Sequence, residues 1–166
     1  MPAYAKATAD VMVQSVQRYL NGESEHEILL ECMRNSIIPA PRLGYWAVEP
    51  VVKQKVCTEN GWGYPAYEAR LEQRETEAPN QRQKEKKARA LIEYLMRPGV
   101  TQHDMALKYS GRMSSQSSVF HYWRRDPEIS EIAYNGLECT SEQFREMWEK
   151  RRKSSSNWFN QRPFSS

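Results

Sequence analysis

Cysteine is scarce and poorly spaced for joint work. Cys32, Cys57 and Cys139 are the only three and form no CxxC pair, so neither a disulfide framework nor a zinc site is indicated, and the thiols read as buried or idle. No stretch approaches the roughly 18 apolar residues that a membrane span needs, and the start MPAYAKATAD lacks the apolar run of a secretory signal. With a mean hydropathy of −0.84 the expectation is an intracellular protein with no membrane segment. The seven glycines never gather into a phosphate-cradling loop, and no nucleophile elbow is present. No catalytic residue and no cofactor are expected, and His26 and His103 stand too far from any cysteine in sequence to suggest a metal.

What the chain does have is a sentence written twice. GESEHEILL at 22–30 and GVTQHDMAL at 99–107 align without a gap at an offset of 77, which also sets Tyr45-Trp46 on Tyr122-Trp123 and Glu49-Pro50 on Asp126-Pro127. The identical pairs are Gly22/Gly99, His26/His103, Leu30/Leu107, Tyr45/Tyr122, Trp46/Trp123 and Pro50/Pro127. Repetition at a fixed offset predicts two copies of one structural unit.

Helical periodicity recurs in both copies. Ala5, Ala9, Val11, Met12, Val16, Tyr19 and Leu20 fit a helix over 5–20 that Asn21-Gly22 stops. Ser24 and Glu27 form a capping-box pattern for a second helix over 25–35, and Pro39 and Pro41 place the start of a third near Ala40, ending by Val48. In the second copy KEKKARALIEYLM is amphipathic and closed by Pro98-Gly99, Thr101 with Asp104 caps a helix to about Tyr109, and after the turn SGRMSS the run QSSVFHYWRR forms the third. Tyr67 and Leu71 lie 77 residues before Phe144 and Trp148, which suggests a further helix in each copy, at 141–153 in the second. The expectation is an all-α protein of two tandem three- to four-helix units: 1–76, a charged linker at 77–87, 88–153, and a flexible tail at 154–166.

A capped second helix, a polar turn and a third helix of mixed character make a helix-turn-helix pattern, in which the second helix braces the third so that it can lie in the major groove of DNA. Val119, Tyr122 and Trp123 are spaced to supply the inward side of that third helix. Gln116, Ser117, Ser118, His121, Arg124 and Arg125 then remain for bases and phosphates, with Thr101, Gln102, Arg112 and Ser115 around the turn. Trp46 and Trp123, at matching positions, read as core anchors. The distance from Ala106 to Val119 makes the turn longer than in the shortest units of this kind.

The run GVTQHDMALKYSGRMSSQSSVFHYWRRDPEISE resembles the DNA-binding domain of phage terminase small subunits, through Gly99, Thr101, Ala106, Val119, Trp123, Asp126, Pro127 and Glu128. Two features differ from that family: the unit occurs twice, and no long helical hairpin is read after it. The resemblance implies double-stranded DNA as ligand, a terminase large subunit as protein partner, a homo-oligomer, and residence in the cytoplasm of a bacterial host.

Charge is divided unequally. Residues 1–80 carry 8 Lys and Arg against 11 Asp and Glu, a balance of −3, whereas 81–166 carry 16 against 10, a balance of +6. The second half is therefore expected to hold the polyanion. In the first copy only Arg42 is a candidate contact, beside Leu43, Gly44 and Ala47, and that unit reads equally as an oligomerisation or docking module. The leading expectation is sequence-specific duplex binding as a packaging recognition factor. The alternatives are a transcription or replication regulator of a phage or mobile element, and a protein-binding adaptor or inhibitor of a host enzyme.

Overall fold

Thr8 sets the first helix: its backbone is extended and its hydroxyl accepts from the Val11 N–H at 3.2 Å, so α1 runs over Ala9–Leu20. The computed structural model describes residues 3–110 and 116–160, the side chains of 116, 117 and 155–160 excepted. Helix does not begin at residue 5, because Ala5–Lys6 (β1) pairs in parallel with Ile37–Ile38 (β2), and the Ala5 N–H meets the Ser36 carbonyl at 2.9 Å. The remaining elements are α2 (Glu25–Arg34), α3 (Leu43–Ala47), α4 (Pro50–Asn60), α5 (Tyr64–Thr76), α6 (Pro79–Met96), α7 (Gln102–Ser110), α8 (Gln116–Arg125), α9 (Pro127–Gly136) and α10 (Ser141–Asn160). Apart from the one strand pair, the described fold is all-α.

The chain divides into two compact units, Met1–Lys86 and Lys87–Ser166, with the boundary inside α6. The repeat runs through both at full length. Helices α2, α4 and α5 each begin 77 residues before α7, α9 and α10, giving five helical positions per unit where three or four were expected. Backbone conformation follows the same register. Gly22 and Gly99 have φ of +102° and +88°, and Gly61 and Glu138 take φ of +67° and +56° just beyond α4 and α9. Buried positions match as well: Leu43 with Phe120, Tyr67 with Phe144, Leu71 with Trp148, and Trp46 with Trp123, each tryptophan 7% exposed.

One contact recurs that the sequence pattern did not announce. In unit 1 the guanidinium of Arg74, on α5, donates to the carbonyls of Tyr19 (2.8 Å) and Glu23 and lies 4.7 Å from the centre of the Tyr19 ring. In unit 2 Arg151, on α10, donates to the carbonyls of Tyr94 (2.9 Å) and Val100 and lies 4.5 Å from the Tyr94 ring. Arg74 and Glu23 are 77 residues before Arg151 and Val100. The last helix of each unit is thereby tied to the corner between its first two, at carbonyls that a helix end leaves without intrahelical partners.

The cores differ in substance. Unit 1 is mostly aliphatic, with Val13, Val16, Leu20, Ile28, Leu29, Leu43, Val52 and Val56 around Tyr19, Trp46 and Tyr67. Unit 2 is aromatic, Phe120 lying 5.5 Å from Tyr94 and 5.7 Å from Trp148, and Phe144 lying 6.1 Å from Trp148. Where unit 1 has Val16, unit 2 buries Glu93 completely. That carboxylate accepts from the Tyr109 hydroxyl at 2.7 Å, Lys108 at 2.8 and 2.9 Å and Arg97 at 2.9 Å, which pins α7 to α6. Burial holds the Lys108 ammonium below its usual range, against the attraction of Glu93.

The stretch expected to be a charged linker, 77–87, contains the first turns of α6, and Arg82 there is a core residue of unit 1. Its guanidinium meets Glu25 at 3.3 Å, Glu75 at 3.1 Å and the Tyr19 hydroxyl at 2.9 Å. Polar composition concealed this because both partners lie far back in the chain. Helix α10 likewise continues to Asn160, into the stretch expected as tail.

Two measurements check these packings. Hydrogen bonds from charged groups contribute about 1.5–3 kcal/mol each, so Arg74→Ala and Arg151→Ala should each lower stability by roughly that much or more in urea unfolding. Lysine at either place should recover little, lacking the planar fork. Burial pushes the phenols of Tyr19, Tyr67 and Tyr109 up. A phenol with a raised folded pKa contributes stability that is complete below the unfolded value near 10 and is lost as pH rises past it. In an alkaline titration followed by phenolate absorbance, at least three of the nine tyrosines should ionise only together with unfolding.

Candidate nucleic-acid interface

Helix α7 opens on a complete capping box: the Asp104 N–H donates to Thr101 Oγ1 at 3.0 Å and the Thr101 N–H donates to Asp104 Oδ2 at 3.0 Å. Thr101 is thus occupied as a cap. In unit 1 only half of this recurs, Ser24 Oγ accepting from the Glu27 N–H at 3.3 Å. Helix α8 packs against α7 and α9. Asp126 divides α8 from α9 by accepting from the N–H groups of Glu128 (2.9 Å) and Ile129 (3.2 Å), with Pro127 starting the new helix.

The inward side of α8 is not the one expected. Phe120 and Trp123 are buried, Val119 is half-buried, and Tyr122 is 70% exposed. Phenylalanine at 120 reaches the ring cluster of Tyr94 and Trp148, so α8 is turned to bury it and Tyr122 faces solvent. The open side is the stripe Ser118, His121, Tyr122 and Arg125, at i, i+3, i+4 and i+7.

Arg124 departs from its expected role as a free phosphate contact. It is half-buried, its guanidinium 4.9 Å from the Phe144 ring and 5.2 Å from the Trp148 ring, and its Nε is shut away from any hydrogen-bond partner among the described residues. Burial, and then the charge of Arg145, hold this guanidinium below the usual arginine range. Arg112 and Ser115, with the centre of the turn, lie outside the described residues, as do the side chains of Gln116 and Ser117. Arg42 sits at the N-cap of the one-turn helix α3, half-buried, with its Nε enclosed and unpartnered among the described residues. His26 is buried rather than on the surface of its helix, His103 is exposed, and no metal-holding cluster occurs among the described residues. Cys32 and Cys57 are buried, and burial pushes both thiols up.

Four predicted residues come together. Gln102, His121, Arg124 and Arg125 line a cleft of about 420 Å³ with Trp148 and Arg152 of α10. Gln102 reaches the Tyr94 hydroxyl at 3.4 Å, and Arg152 pairs with Glu149, also on the rim, at 2.8 Å. Arg152 and Trp148 were missed as contact residues. Their place is fixed by the packing of α10, which their local sequence does not contain. At the structural boundary the charge division persists, 11 Lys and Arg against 12 Asp and Glu up to Lys86 and 13 against 9 from Lys87.

No protein-family model, curated protein or solved structure matches the chain. Among the described residues no helix is long and apolar enough to cross a membrane.

The two neighbouring arginines of α8 should separate cleanly. Arg124→Ala removes a guanidinium held over two rings and should cost about 1–2 kcal/mol of stability. Arg125→Ala, at an exposed position, should stay within about 0.5 kcal/mol. Equal thermal shifts for the two variants would contradict the stacked position of Arg124.

Proposed function

We propose that unit 2 binds double-stranded DNA sequence-specifically, presenting α8 to the major groove in the manner of a helix-turn-helix. The observation that carries this reading is the open stripe Ser118, His121, Tyr122 and Arg125 on a ten-residue helix whose other side is anchored by Phe120 and Trp123. A helix held rigidly on one side and lined on the other by a hydroxyl, an imidazole, a phenol and a guanidinium has the donors and acceptors that base edges and phosphates require. The net positive charge of the unit adds long-range attraction to the polyanion.

The biological role follows from the resemblance to terminase small subunits: recognition of a viral DNA site and its delivery to a terminase large subunit, in a bacterial host cell. A transcription or replication regulator would use the same surface, and binding to a large subunit separates the two. The adaptor reading draws support from one observation in unit 1. Tyr45, Val48 and Val51 are 59%, 68% and 54% exposed, so the face matching the open side of α8 is apolar. Duplex recognition is therefore assigned to unit 2, and oligomerisation or docking to unit 1.

Fluorescence anisotropy with the full chain, site-selected and scrambled duplexes, and a salt series tests the assignment. Ser118→Ala and His121→Ala should each cost on the order of 1–3 kcal/mol on the selected site and less on scrambled DNA. Arg42→Ala should leave binding unchanged. An unselective, salt-independent interaction, or loss of binding from Arg42→Ala alone, would remove α8 as the reading helix.

A further inference from the structure

One location in the repeat is occupied by the chain itself in unit 1, and its charge is reversed in unit 2. Around Arg82, Glu25 and Glu75 supply carboxylates, Tyr19 a hydroxyl, and Arg74 and Glu75 carbonyl oxygens at 3.0 and 2.8 Å. Glu25 also accepts from the Leu43 N–H at 2.9 Å, and Gly44 lies so close to Glu75 that an added Cβ would stand 2.2 Å from Oε1. Five acceptor groups thus enclose one guanidinium, and only 7% of that residue is exposed.

Seventy-seven residues on, Glu25, Gly44 and Glu75 become Gln102, His121 and Arg152. These three line the cleft of unit 2, with Arg124, Arg125 and Trp148. Two carboxylates that hold a cation are replaced by an amide and a guanidinium, and the glycine by an imidazole. Three arginines on the rim face a single acid, Glu149, itself paired with Arg152. The matching position for Arg82 falls beyond the repeat, at Phe159, so unit 2 carries no arginine there to supply a cation.

We infer that this cleft, between the first turn of α7, the last turns of α8 and α10, holds one phosphodiester of the duplex backbone, the anionic counterpart of the Arg82 guanidinium. The inference rests on the DNA reading of unit 2. Arg125 and Arg152 supply the charge-assisted donors, His121 and Gln102 neutral ones, and Trp148 the apolar floor. A phosphate held there fixes α8 along the groove without reading sequence. Arg152 is the distinguishing residue, because its counterpart Glu75 in unit 1 would repel the same ligand.

The test uses the full chain, duplexes of selected and scrambled sequence at several salt concentrations, and a separate titration with inorganic phosphate followed by the His121 imidazole and Trp148 indole NMR signals. Arg152→Gln should weaken every duplex by a similar factor and lower the slope of log K against log salt by about one unit. Glu149→Gln, which removes the competing acid, should strengthen binding to every duplex, and it reports on the cleft even if the arginine variant folds poorly. Phosphate should shift both NMR signals in the wild type and neither in Arg152→Gln. Duplex binding with an unchanged slope in Arg152→Gln and no gain in Glu149→Gln would overturn the cleft assignment while leaving the DNA reading in place. No duplex binding by the wild type would sink the DNA reading. In that event, phosphate shifts abolished by Arg152→Gln would retain the cleft as a site for a phosphoryl group, and their absence would end that assignment also.

Discussion

A guanidinium closing the corner between two helices is the interaction on which each unit depends. The last turn of a helix leaves carbonyls unpaired, and the chain must then turn before the next cap can form. Arg74 and Arg151 each bridge that gap, taking a carbonyl from the end of the first helix and another from the residue just before the capping Ser24 or Thr101, while their flat faces cover a tyrosine ring. In unit 2 this fixes Val100 and hence the capping box of α7, and α7 in turn braces α8. The open stripe of α8 therefore owes its placement to an arginine on a helix it does not belong to.

On that common frame the two units have diverged by exchanging polarity at matched places. Val16 of unit 1 is apolar core, whereas Glu93 of unit 2 gathers Lys108, Tyr109 and Arg97 around a buried carboxylate. Conversely the buried Glu25 of unit 1 pairs with Arg82, where unit 2 has the half-exposed Gln102. Each unit thus holds one carboxylate out of water, and each surrounds it with cationic and hydroxyl donors, as desolvation requires. The exchange leaves α3 of unit 1 as a single turn beside a self-filled site, and α8 of unit 2 as a full helix beside an open one.

Caps, breaks and the repeat were legible in the sequence because they are local. Ser24, Thr101, Gly22 and Gly99 act within a few residues, and the structure places them at helix boundaries. The fourth helical position escaped notice because α4 opens on Pro50, which reads equally well as the end of the helix before it, and its apolar residues are few. The orientation of α8 escaped for a different reason. Val119, Phe120, Tyr122 and Trp123 surround much of the helix with apolar side chains, so periodicity alone admits more than one inward side. The partners of Phe120 are Tyr94, Trp123 and Trp148, two of them on α6 and α10, and only that packing selects the face. Arg82, Arg124, Arg151 and Arg152 look alike in a charge count. They differ in what lies next to them.

That last point governs how much of the charge in unit 2 can act on a polyanion. Arg97 and Lys108 are drawn to Glu93, Arg151 is bound to two carbonyls, Arg124 rests on two rings, and Arg152 shares its charge with Glu149. A side chain already held by a buried carboxylate cannot leave it for a phosphate without stranding that carboxylate, at a cost larger than one surface phosphate contact returns. The formal balance of the unit therefore describes its long-range field, which sums all charges, and overstates its contact capacity, which counts only cations with an open donor face. Arg125 on the stripe and Arg152 at the cleft rim have such faces, and Glu149 is a partner that Arg152 can exchange at little cost because the pair is exposed. A ligand read by this surface is accordingly held by few ionic contacts and positioned mainly by the rigidity of α8, which returns the burden to the arginine that sets the corner of α7.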